Sequence, residues 1–448
     1  MSTCRVIAVI DADHFEVQVY QKMEVWAYTI GKPCVVALSI YNMARIVSIS
    51  PEAKQAGVSR DDNVGSARLK CPQLIIIPKN KKFTKPDASL TDKYSYDIRS
   101  AILTFCREHL PAAMCEIDPI IIEKVGNDEY FLDLTQLVTS LIYDGFNSRI
   151  NTAGRVFMEA DDRSYQGRQL HNQIRRFYSR DENNSEEETR LAIGLGIVEE
   201  LCTFVTEETD ILCSGGVGSN KLLAKLACKS HKPCGVTALT RGGFNRISAS
   251  VPFRDVPGFG GDLGVDVKQV FGGIFVNQLR YWLRIHANFN RLKSIVGDEQ
   301  ATTAKRLARG VCHEEVEDKL MFKGLNCSRN YLTIRTKGDF RTELNYLVQN
   351  MKERLQLEVK YNKRFAKKIK VEYFLRRGRR QRYSFPMYFN PTTSVDYNGD
   401  GKMDVDLAEF FASASQSAER HDNFENHLPN ICKINFCVTD FDSFDIVE

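Results

Sequence analysis

A short apolar run that ends in acidic residues decides how the start of this chain folds: residues 5–15 read RVIAVIDADHF. The segment Arg5–Ile10 is rich in β-branched residues, is short, and stops at Asp11 and Asp13. A run of this kind is typical of a buried β-strand. Carboxylates that follow a buried strand lie at the edge of its sheet. The stretch therefore predicts a buried strand with two acids at its end.

A second stretch with the same character lies more than a hundred residues further on. Residues 119–125 and 128–134 are both β-rich, and Gly126 and Asn127 separate them. This pattern predicts a β-hairpin with a two-residue turn, in which Asp128 and Glu129 begin the second strand. Hard oxygen ligands from two strand ends are what a pair of Mg²⁺ ions requires. The alternative is that these acids are ordinary turn residues.

The middle of the chain predicts a basic helix close to these strands. Helical periodicity covers Leu191–Glu207, the glycine-rich Ser214–Ser219 is expected to be a loop, and Asn220–Lys232 is expected to be a helix with Ser219 as its N-cap. Four lysines recur at helical spacing in this last segment and share one face: Lys221, Lys225, Lys229 and Lys232. The polar stretch 159–190 before them predicts an exposed insertion.

Length and composition exclude several classes of protein. The 448 residues suggest about three domains. Hydrophobic residues make up 43% and charged residues 26%, as in globular proteins. No apolar stretch has the roughly 18 residues of a membrane span, and the first residues lack a signal-peptide layout. The 13 cysteines include no Cys-x-x-Cys pair, which argues against a disulfide scaffold or structural zinc and favours an intracellular, reducing environment.

The net charge of +4 hides a strong partition along the chain. Residues 323–385 carry a net +13 and residues 386–448 a net −9, whereas residues 1–322 balance at 40 basic and 40 acidic residues. Within the basic segment, Phe340–Lys360 predicts an amphipathic helix, and residues 368–375 alternate apolar and charged side chains as a strand does. A net positive charge of this size in residues 323–385 predicts a polyanionic partner such as DNA. A nuclear localisation signal at 376–382 is an interpretation compatible with this one.

Five separated stretches resemble motifs of the Y-family (translesion) DNA polymerases, and they occur in the family's order. Residues 9–15, VIDADHF, resemble the family's DMDCFF opening, and residues 123–135, EKVGNDEYFLDLT, resemble its ERASIDEAYVDLT motif. Residues 219–233, SNKLLAKLACKSHKP, resemble its HNKVLAKLACGLNKP motif. Two shorter matches complete the set: PEAKQAGVSR at 51–60 and GLNCSRN at 324–330.

The resemblance implies an α+β, multidomain, right-hand polymerase fold. The domains expected from it are a palm at 1–18 and 90–240, fingers at 19–89, a thumb at 241–305, a linker at 306–322 and a little finger at 323–448. The turn at Val256–Gly264 is similar to that of a helix-hairpin-helix, whose backbone N–H groups can hold a DNA phosphate. It falls within the expected thumb.

The resemblance also implies which residues do the chemistry. Asp11, Asp128 and Glu129 match the catalytic carboxylates, and together with the Ala12 carbonyl they would hold two Mg²⁺ ions, for which Mn²⁺ can substitute. Residues expected to contact the incoming nucleotide are Lys232, Lys54, Arg60 and Glu16. The expected reaction is template-directed addition of deoxynucleotides to a primer 3′ end, in translesion synthesis past damaged bases.

Three departures from the family pattern keep alternatives open. Glu16 stands where the family has an aromatic residue that blocks a ribose 2′-hydroxyl, Pro51 where it has a tyrosine that bonds the triphosphate, and Leu38 where it has a glutamine at the templating base. One alternative is a catalytically decayed DNA-binding scaffold at damaged replication forks. The other is a sister Y-family polymerase with a restricted choice of nucleotide.

The expected partners are primer–template DNA and deoxynucleoside triphosphates, with no membrane, in the nucleus. A sliding clamp is a further candidate partner, because Asp404–Phe411 is similar to a clamp-binding peptide with Asp in place of Gln. The same residues also fit a helix that buries Leu407, Phe410 and Phe411, and their helical spacing favours the helix.

Overall fold

The structure is a computed structural model, and it describes most of the chain. The described residues are 4–79, 87–110, 120–143, 156–158, 164–165, 186–330, 334–375, 382–388, 395–397, 403–405, 416, 418–420 and 424–443. They fall into two compact units. Unit 1 comprises Met1–Ile77 and Asp97–Leu320, and unit 2 comprises Pro78–Tyr96 and Met321–Glu448.

The secondary structure mixes strands and helices throughout. The strands are β1 Ile7–Ala12, β2 Cys34–Ala37, β3 Ile46–Ile49, β4 Ile75–Pro78, β5 Ile121–Lys124, β6 Glu129–Asp133, β7 Val156–Met158, β8 Ser164–Tyr165, β9 Cys213–Gly218, β10 Val236–Leu239, β11 Gly324–Asn330, β12 Arg364–Leu375, β13 Arg382–Tyr388, β14 Val395–Tyr397, β15 Met403–Val405 and β16 Ile431–Ser443.

The helices are α1 Phe15–Gln21, α2 Glu24–Ala27, α3 Pro51–Gln55, α4 Val64–Lys70, α5 Asp87–Glu108, α6 Thr135–Tyr143, α7 Glu186–Thr209, α8 Lys221–Ser230, α9 Arg241–Ile247, α10 Asp262–Phe271, α11 Val276–Trp282, α12 His286–Val296, α13 Asp298–Leu307, α14 Lys337–Asn362 and α15 Phe424–His427. Short 3₁₀ turns lie at Phe253–Asp255 and Leu428–Asn430. None of the helices in the described ranges is long and apolar enough to cross a membrane.

The largest sheet of unit 1 has the strand order β5-β6-β1-β9-β10-β7-β8. The first strand predicted from the sequence, β1, is buried and lies between β6 and β9, antiparallel to both. Its prediction as a buried strand is confirmed. Asp11 is the fifth of its six residues, so this acid lies inside the strand and not after its end.

The glycine-rich stretch expected to be a loop is a strand, and that prediction is wrong. Ser214–Gly218 belongs to β9, every residue of which is buried. A Cβ on Gly216 would lie 2.1 Å from the Ala224 carbonyl oxygen of α8, and a Cβ on Gly215 would lie 2.4 Å from a methyl of Val198 on α7. Neighbouring side-chain positions of a strand point to opposite faces, so α7 and α8 cover opposite faces of the sheet. The glycines are there because both helices approach the strand backbone closely.

Helix α8 is shorter than the sequence predicts. It begins at Lys221 and ends at Ser230, and its N-cap is Asn220, whose side chain accepts a hydrogen bond from Leu223 N–H. The expected cap, Ser219, precedes it. Lys232 therefore lies beyond the helix, next to the cis peptide bond between Lys232 and Pro233.

The predicted hairpin is present, but its turn is longer than expected. Strands β5 and β6 pair from Ile121 with Asp133 to Lys124 with Tyr130. Val125 N–H bonds to the Glu129 carbonyl at 3.0 Å, so residues 125–128 form the connection. Glu129 begins the second strand as predicted, whereas Asp128 lies in the turn. A two-residue turn would have placed both acids in the ladder.

Two further layers complete unit 1. The small sheet β3-β2-β4 packs with α3 and α4 around an apolar core that includes Val35, Ile49 and Ala67. Helices α9–α13 surround a separate core built on Phe244, Phe259 and other aromatic and aliphatic side chains. Helix α7 extends beyond the predicted Leu191–Glu207 at both ends. Thr189 and Arg190 within it are buried, so the exposed insertion expected at 159–190 does not reach them; most of that stretch lies outside the described residues.

Unit 2 is built on the sheet β11-β16-β12-β13, with α14 covering one face. The helix predicted at 340–360 is confirmed, and it runs from Lys337 to Asn362 with its predicted apolar side chains buried. The strand predicted at 368–375 is also confirmed as the end of β12. Its charged face is only partly solvated, because Glu372 is buried.

Within unit 2, the basic and the acidic segments of the chain pair with each other. The basic strand β12 pairs antiparallel with the acidic strand β16. Lys367 pairs with Asp442 at 2.6 Å, and Lys368 lies 4.0 Å from Asp440. The acidic segment therefore offsets part of the positive field predicted for residues 323–385. The arginines of 376–380 and residues 406–411 of the candidate clamp peptide lie outside the described residues, whereas Asp404, the first residue of that peptide, lies in β15.

Candidate active site

The register of the main sheet brings the two predicted acidic stretches together. Asp11 of β1 pairs directly with Glu129 of β6 on one side and with Ser214 of β9 on the other. Ala12 N–H donates to the Asp128 carbonyl at 2.9 Å. Directly opposite residues in a sheet have Cβ atoms about 5 Å apart. The carboxylates that lie 117 and 118 positions apart in sequence are thus neighbours in space.

Strand alternation explains why these carboxylates meet helix α8. One buried cluster joins the sheet to α8 and consists of Ile7, Val9, Phe131, Ala224, Cys228 and Val316. Asp11 is two residues beyond Val9, and Glu129 is two residues before Phe131, so both continue the same face of the sheet. The face that packs against α8 is therefore apolar in its interior and acidic at its edge.

Two lysines neutralise this acidic edge. Lys225 Nζ lies 2.7 Å from Asp11 Oδ2 and 2.5 Å from Glu129 Oε2. Lys232 Nζ lies 2.6 Å from the other Asp11 oxygen, Oδ1. Burial on its own would raise the pKa of Asp11, but the two adjacent ammonium groups outweigh it and hold the pKa below its ordinary value. Both oxygens of Asp11 are therefore engaged by cations.

Asp128 is in the opposite electrostatic situation. Burial and the nearby carboxylates of Asp11, Glu16 and Glu129 raise its pKa from 3.8 to about 6. Among the described residues, none of the ion pairs found involves Asp128. A carboxylate that is destabilised by its acidic neighbours is one that a bound cation would stabilise.

Asp13 is held as part of the scaffold. Its oxygens lie 2.9 and 2.7 Å from Ser214 Oγ, and Cys234 N–H donates to Oδ2 at 2.8 Å. Only 1% of Asp13 is exposed. Lys232 Nζ also approaches Oδ1, at 3.3 Å. This acid therefore positions the segment that carries Lys232.

Two of the predicted nucleotide-binding cations affect the third. Partial burial, together with the positive charges of Lys232 and Arg60, lowers the pKa of Lys54, so both cations are near Lys54. Lys54 lies in α3 and Arg60 in the loop that follows it, and both are exposed. A cluster of three cations beside a group of carboxylates suits an anionic ligand that is bound through a divalent ion.

Glu16 lies in the first turn of α1 and is half-buried. Its carboxylate is among the groups that raise the pKa of Asp128, so it faces the acidic centre.

Two members of the site were missed as functional residues from the sequence. Lys225 was identified only as one of four lysines on a helix face. His14 has the left-handed backbone angle φ 39°, and burial lowers its pKa to about 4, so its ring is neutral at physiological pH.

The donor set fits a hard divalent ion, although the side chains do not form a closed cage. The candidate ligands are carboxylate and carbonyl oxygens, which Mg²⁺ and Mn²⁺ prefer. The Lys225 ammonium occupies the position of a shared cation between Asp11 and Glu129. Within the described part of the chain, no group of three His, Cys, Asp or Glu side chains converges closely enough to hold a metal as it stands.

Comparison with known proteins gives one family and several relatives. Residues 10–229 match the model of the impB/mucB/samB family, a range that includes every predicted carboxylate but ends before Lys232. DNA polymerase eta of Arabidopsis thaliana is 26% identical over 376 residues, which make up 82% of this chain and 52% of the relative. DNA polymerase eta of Drosophila melanogaster is 23% identical over 403 residues, 82% of this chain and 42% of the relative.

A third relative, DNA polymerase iota of Mus musculus, is 26% identical over 264 residues, 58% of this chain and 31% of the relative. The chain spans about half the length of the curated polymerase eta relatives that it matches.

Proposed function

We propose that the protein is a template-directed DNA polymerase of translesion synthesis, and the match of residues 10–229 to the impB/mucB/samB family model and the similarity to DNA polymerase eta of Arabidopsis thaliana support this proposal. It adds deoxynucleotides to a primer 3′ end opposite damaged bases. The observation that carries the proposal is the convergence of Asp11, Asp128 and Glu129 at one sheet edge beside a cluster of cations.

The carboxylates are the proposed ligands of two Mg²⁺ ions, for which Mn²⁺ can substitute. Asp11, Asp128, Glu129 and the Ala12 carbonyl would hold the ions, with Glu129 on the side of the primer and the Ala12 carbonyl on the side of the nucleotide. When bound, such ions lower the pKa of an attacking hydroxyl and offset the charge of the reacting phosphate. Burial and the neighbouring carboxylates raise the pKa of Asp128 to about 6, and a bound cation would favour its ionised form.

The cations beside the carboxylates are the proposed contacts of the triphosphate. Lys232 and Lys54 offset the charge that develops on the leaving pyrophosphate, and Arg60 is a further proposed contact of the nucleotide. Lys232 is oriented for this role by its bonds to Asp11 and Asp13. Glu16, beside the acidic centre, is the proposed neighbour of the nucleotide sugar.

The domains follow the family's plan in this proposal. Residues 1–18 and 90–240 form the palm, 19–89 the fingers, 241–305 the thumb, 306–322 a linker and 323–448 the little finger. The division of the chain near Met321 supports a separate C-terminal body. The proposed partners are primer–template DNA and deoxynucleoside triphosphates, in the nucleus, with a sliding clamp as a further candidate.

The test is primer extension with Mg²⁺ on undamaged and thymine-dimer templates. We expect extension across the dimer by the unchanged protein and complete loss in the double variant Asp128→Ala, Glu129→Ala. A matched control is Glu314→Ala, Glu315→Ala, which removes two adjacent exposed acids and the same charge. Primer–template binding without extension by the unchanged protein would refute the polymerase and leave the DNA-binding scaffold.

A further inference from the structure

The ammonium group of Lys225 lies in the middle of the proposed metal centre. It bridges the carboxylates of two different strands, at 2.7 Å from Asp11 Oδ2 and 2.5 Å from Glu129 Oε2. Its own helix, α8, is fixed to the sheet by the close approach of Ala224 to Gly216. The Lys225 side chain therefore extends from a helix that is packed closely on the sheet, and its ammonium group contacts Asp11 Oδ2 and Glu129 Oε2 directly.

The neighbouring lysines of α8 do something different. Lys221, one turn earlier, pairs with Glu123 at 2.6 Å, outside the acidic centre. Lys229, one turn later, is exposed, and its Nζ donates to the Asp255 carbonyl at 3.1 Å. Three lysines of one helix thus carry the same charge, and Lys225 is the one that bridges Asp11 and Glu129. This difference provides matched controls.

The bridged oxygens leave no room for a second cation between them. A divalent ion shared by Asp11 and Glu129 would lie about 2.1 Å from an oxygen of each carboxylate. The ammonium nitrogen already lies within 2.7 Å of those two oxygens, so the two cations would overlap. Two positive charges at such separation also repel strongly in a partly buried site. Occupancy by one excludes the other.

We propose that Lys225 is a resident cation that competes with the divalent ion for Asp11 and Glu129 and must withdraw before that ion can bind. The inference deepens the proposed function, because it rests on the same metal centre. It accounts for two observations together: the carboxylates are adjacent, yet within the described residues no three potential ligands converge on one point. Lys225 keeps the acidic edge neutral and in place while lowering its affinity for metal.

The experiment is direct binding of Mn²⁺ to the full chain, without DNA or nucleotide, measured by the electron paramagnetic resonance signal of free Mn²⁺. Lys225→Met removes the ammonium and keeps the length of the side chain, and we expect at least tenfold tighter Mn²⁺ binding. Lys229→Met removes the same charge one turn away, where solvent and salt screen it, and we expect a change of less than about threefold. Lys225→Arg keeps a cation in place, and we expect no tightening.

A second measurement separates competition from a merely structural role. In EDTA, Lys225→Met leaves two adjacent carboxylates without their shared cation, so its melting temperature should fall below that of the unchanged protein. Addition of Mn²⁺ should raise the melting temperature of the variant by more than that of the unchanged protein, since at one concentration a ligand with the lower Kd stabilises the folded state more.

Equal Mn²⁺ affinity in the unchanged protein and Lys225→Met would overturn the competition while leaving the metal centre intact. Equal tightening in Lys225→Met and Lys229→Met would also overturn it, because general electrostatics would then suffice. Absence of Mn²⁺ binding in every variant, including at millimolar concentration, would overturn the proposed metal centre itself together with the inference.

Discussion

Asp128 should weaken the folded protein at neutral pH, and replacing it should stabilise the protein. Its pKa is about 6 in the folded chain against an ordinary value of 3.8. Because the folded pKa is raised, the folded state binds the proton more tightly than the unfolded state does. The associated stability is fully present below about pH 3.8 and is lost as the pH rises through about 6. Above that range the folded protein holds a buried, repelled carboxylate.

The size of the effect follows from the shift. A difference of about two pKa units, at about 1.4 kcal/mol each, corresponds to about 3 kcal/mol at pH 7.5. Asp128→Asn retains the shape and removes the charge, so it should raise the free energy of unfolding by about 2 to 3 kcal/mol at pH 7.5. The gain should shrink toward zero as the pH is lowered to about 4, where the native carboxylate is protonated in the folded state.

The assay is urea unfolding in EDTA at pH 4.5, 6 and 7.5, followed by tryptophan fluorescence. Both tryptophans, Trp26 and Trp282, lie in unit 1, so the signal reports the unit that contains the site. Glu129→Gln is the matched control: it removes a neighbouring carboxylate that is paired with Lys225, and it should destabilise instead. Magnesium should stabilise the unchanged protein more than Asp128→Asn. A lower stability of Asp128→Asn at pH 7.5, or an equal gain at all three pH values, would refute the reasoning.

Three further predictions concern the site and its support. Lys232→Met should lower kcat/KM for deoxynucleotides by about 100-fold in steady-state primer extension, because an ammonium that offsets charge on the leaving pyrophosphate is lost; an unchanged value would contradict its role. Glu16→Phe should reduce ribonucleotide relative to deoxynucleotide incorporation at least tenfold, since an aromatic ring replaces a hydrogen-bond acceptor beside the sugar, and single-nucleotide insertion assays decide it. Gly216→Ala should lower the free energy of unfolding by about 3 kcal/mol in the same urea assay, because its methyl would meet the Ala224 carbonyl; no loss would mean that α8 can move.

Local patterns in the sequence were enough to predict much of the fold. The alternation around Ile369 and the helical spacing of Leu344 and Leu347 reflect which face is buried, and the structure has a strand and a helix there. The acids of the first strand and of the hairpin were found in the same way. These predictions succeeded because burial of one face imposes a period that neighbouring residues carry by themselves.

The parts that were missed depend on contacts between distant segments. The pairing of Asp11 with Glu129 requires β1 to lie between β6 and β9, and no local pattern states that order. Asp128 was placed in a strand because Gly-Asn is a common two-residue turn, whereas the pairing to β1 begins only at Glu129. The contribution of Asp13 became visible only with Ser214 and Cys234, more than 200 positions away.

The largest error of sequence reasoning also explains how the site works. A glycine-rich run was expected to be a loop because glycine is common in turns. In β9 the missing side chains serve another purpose: with no Cβ on Gly216, helix α8 lies against the strand backbone. Since β9 pairs with β1, this close approach brings the lysines within bonding distance of Asp11. Larger residues in β9 would leave the strand order of the sheet unchanged but would hold α8 further from it. Lys225 could then no longer bridge the two carboxylates while α8 stays packed on the sheet. The positions of the lysines at the acidic edge therefore depend on the backbone of β9, a neighbouring strand that supplies none of the proposed metal ligands.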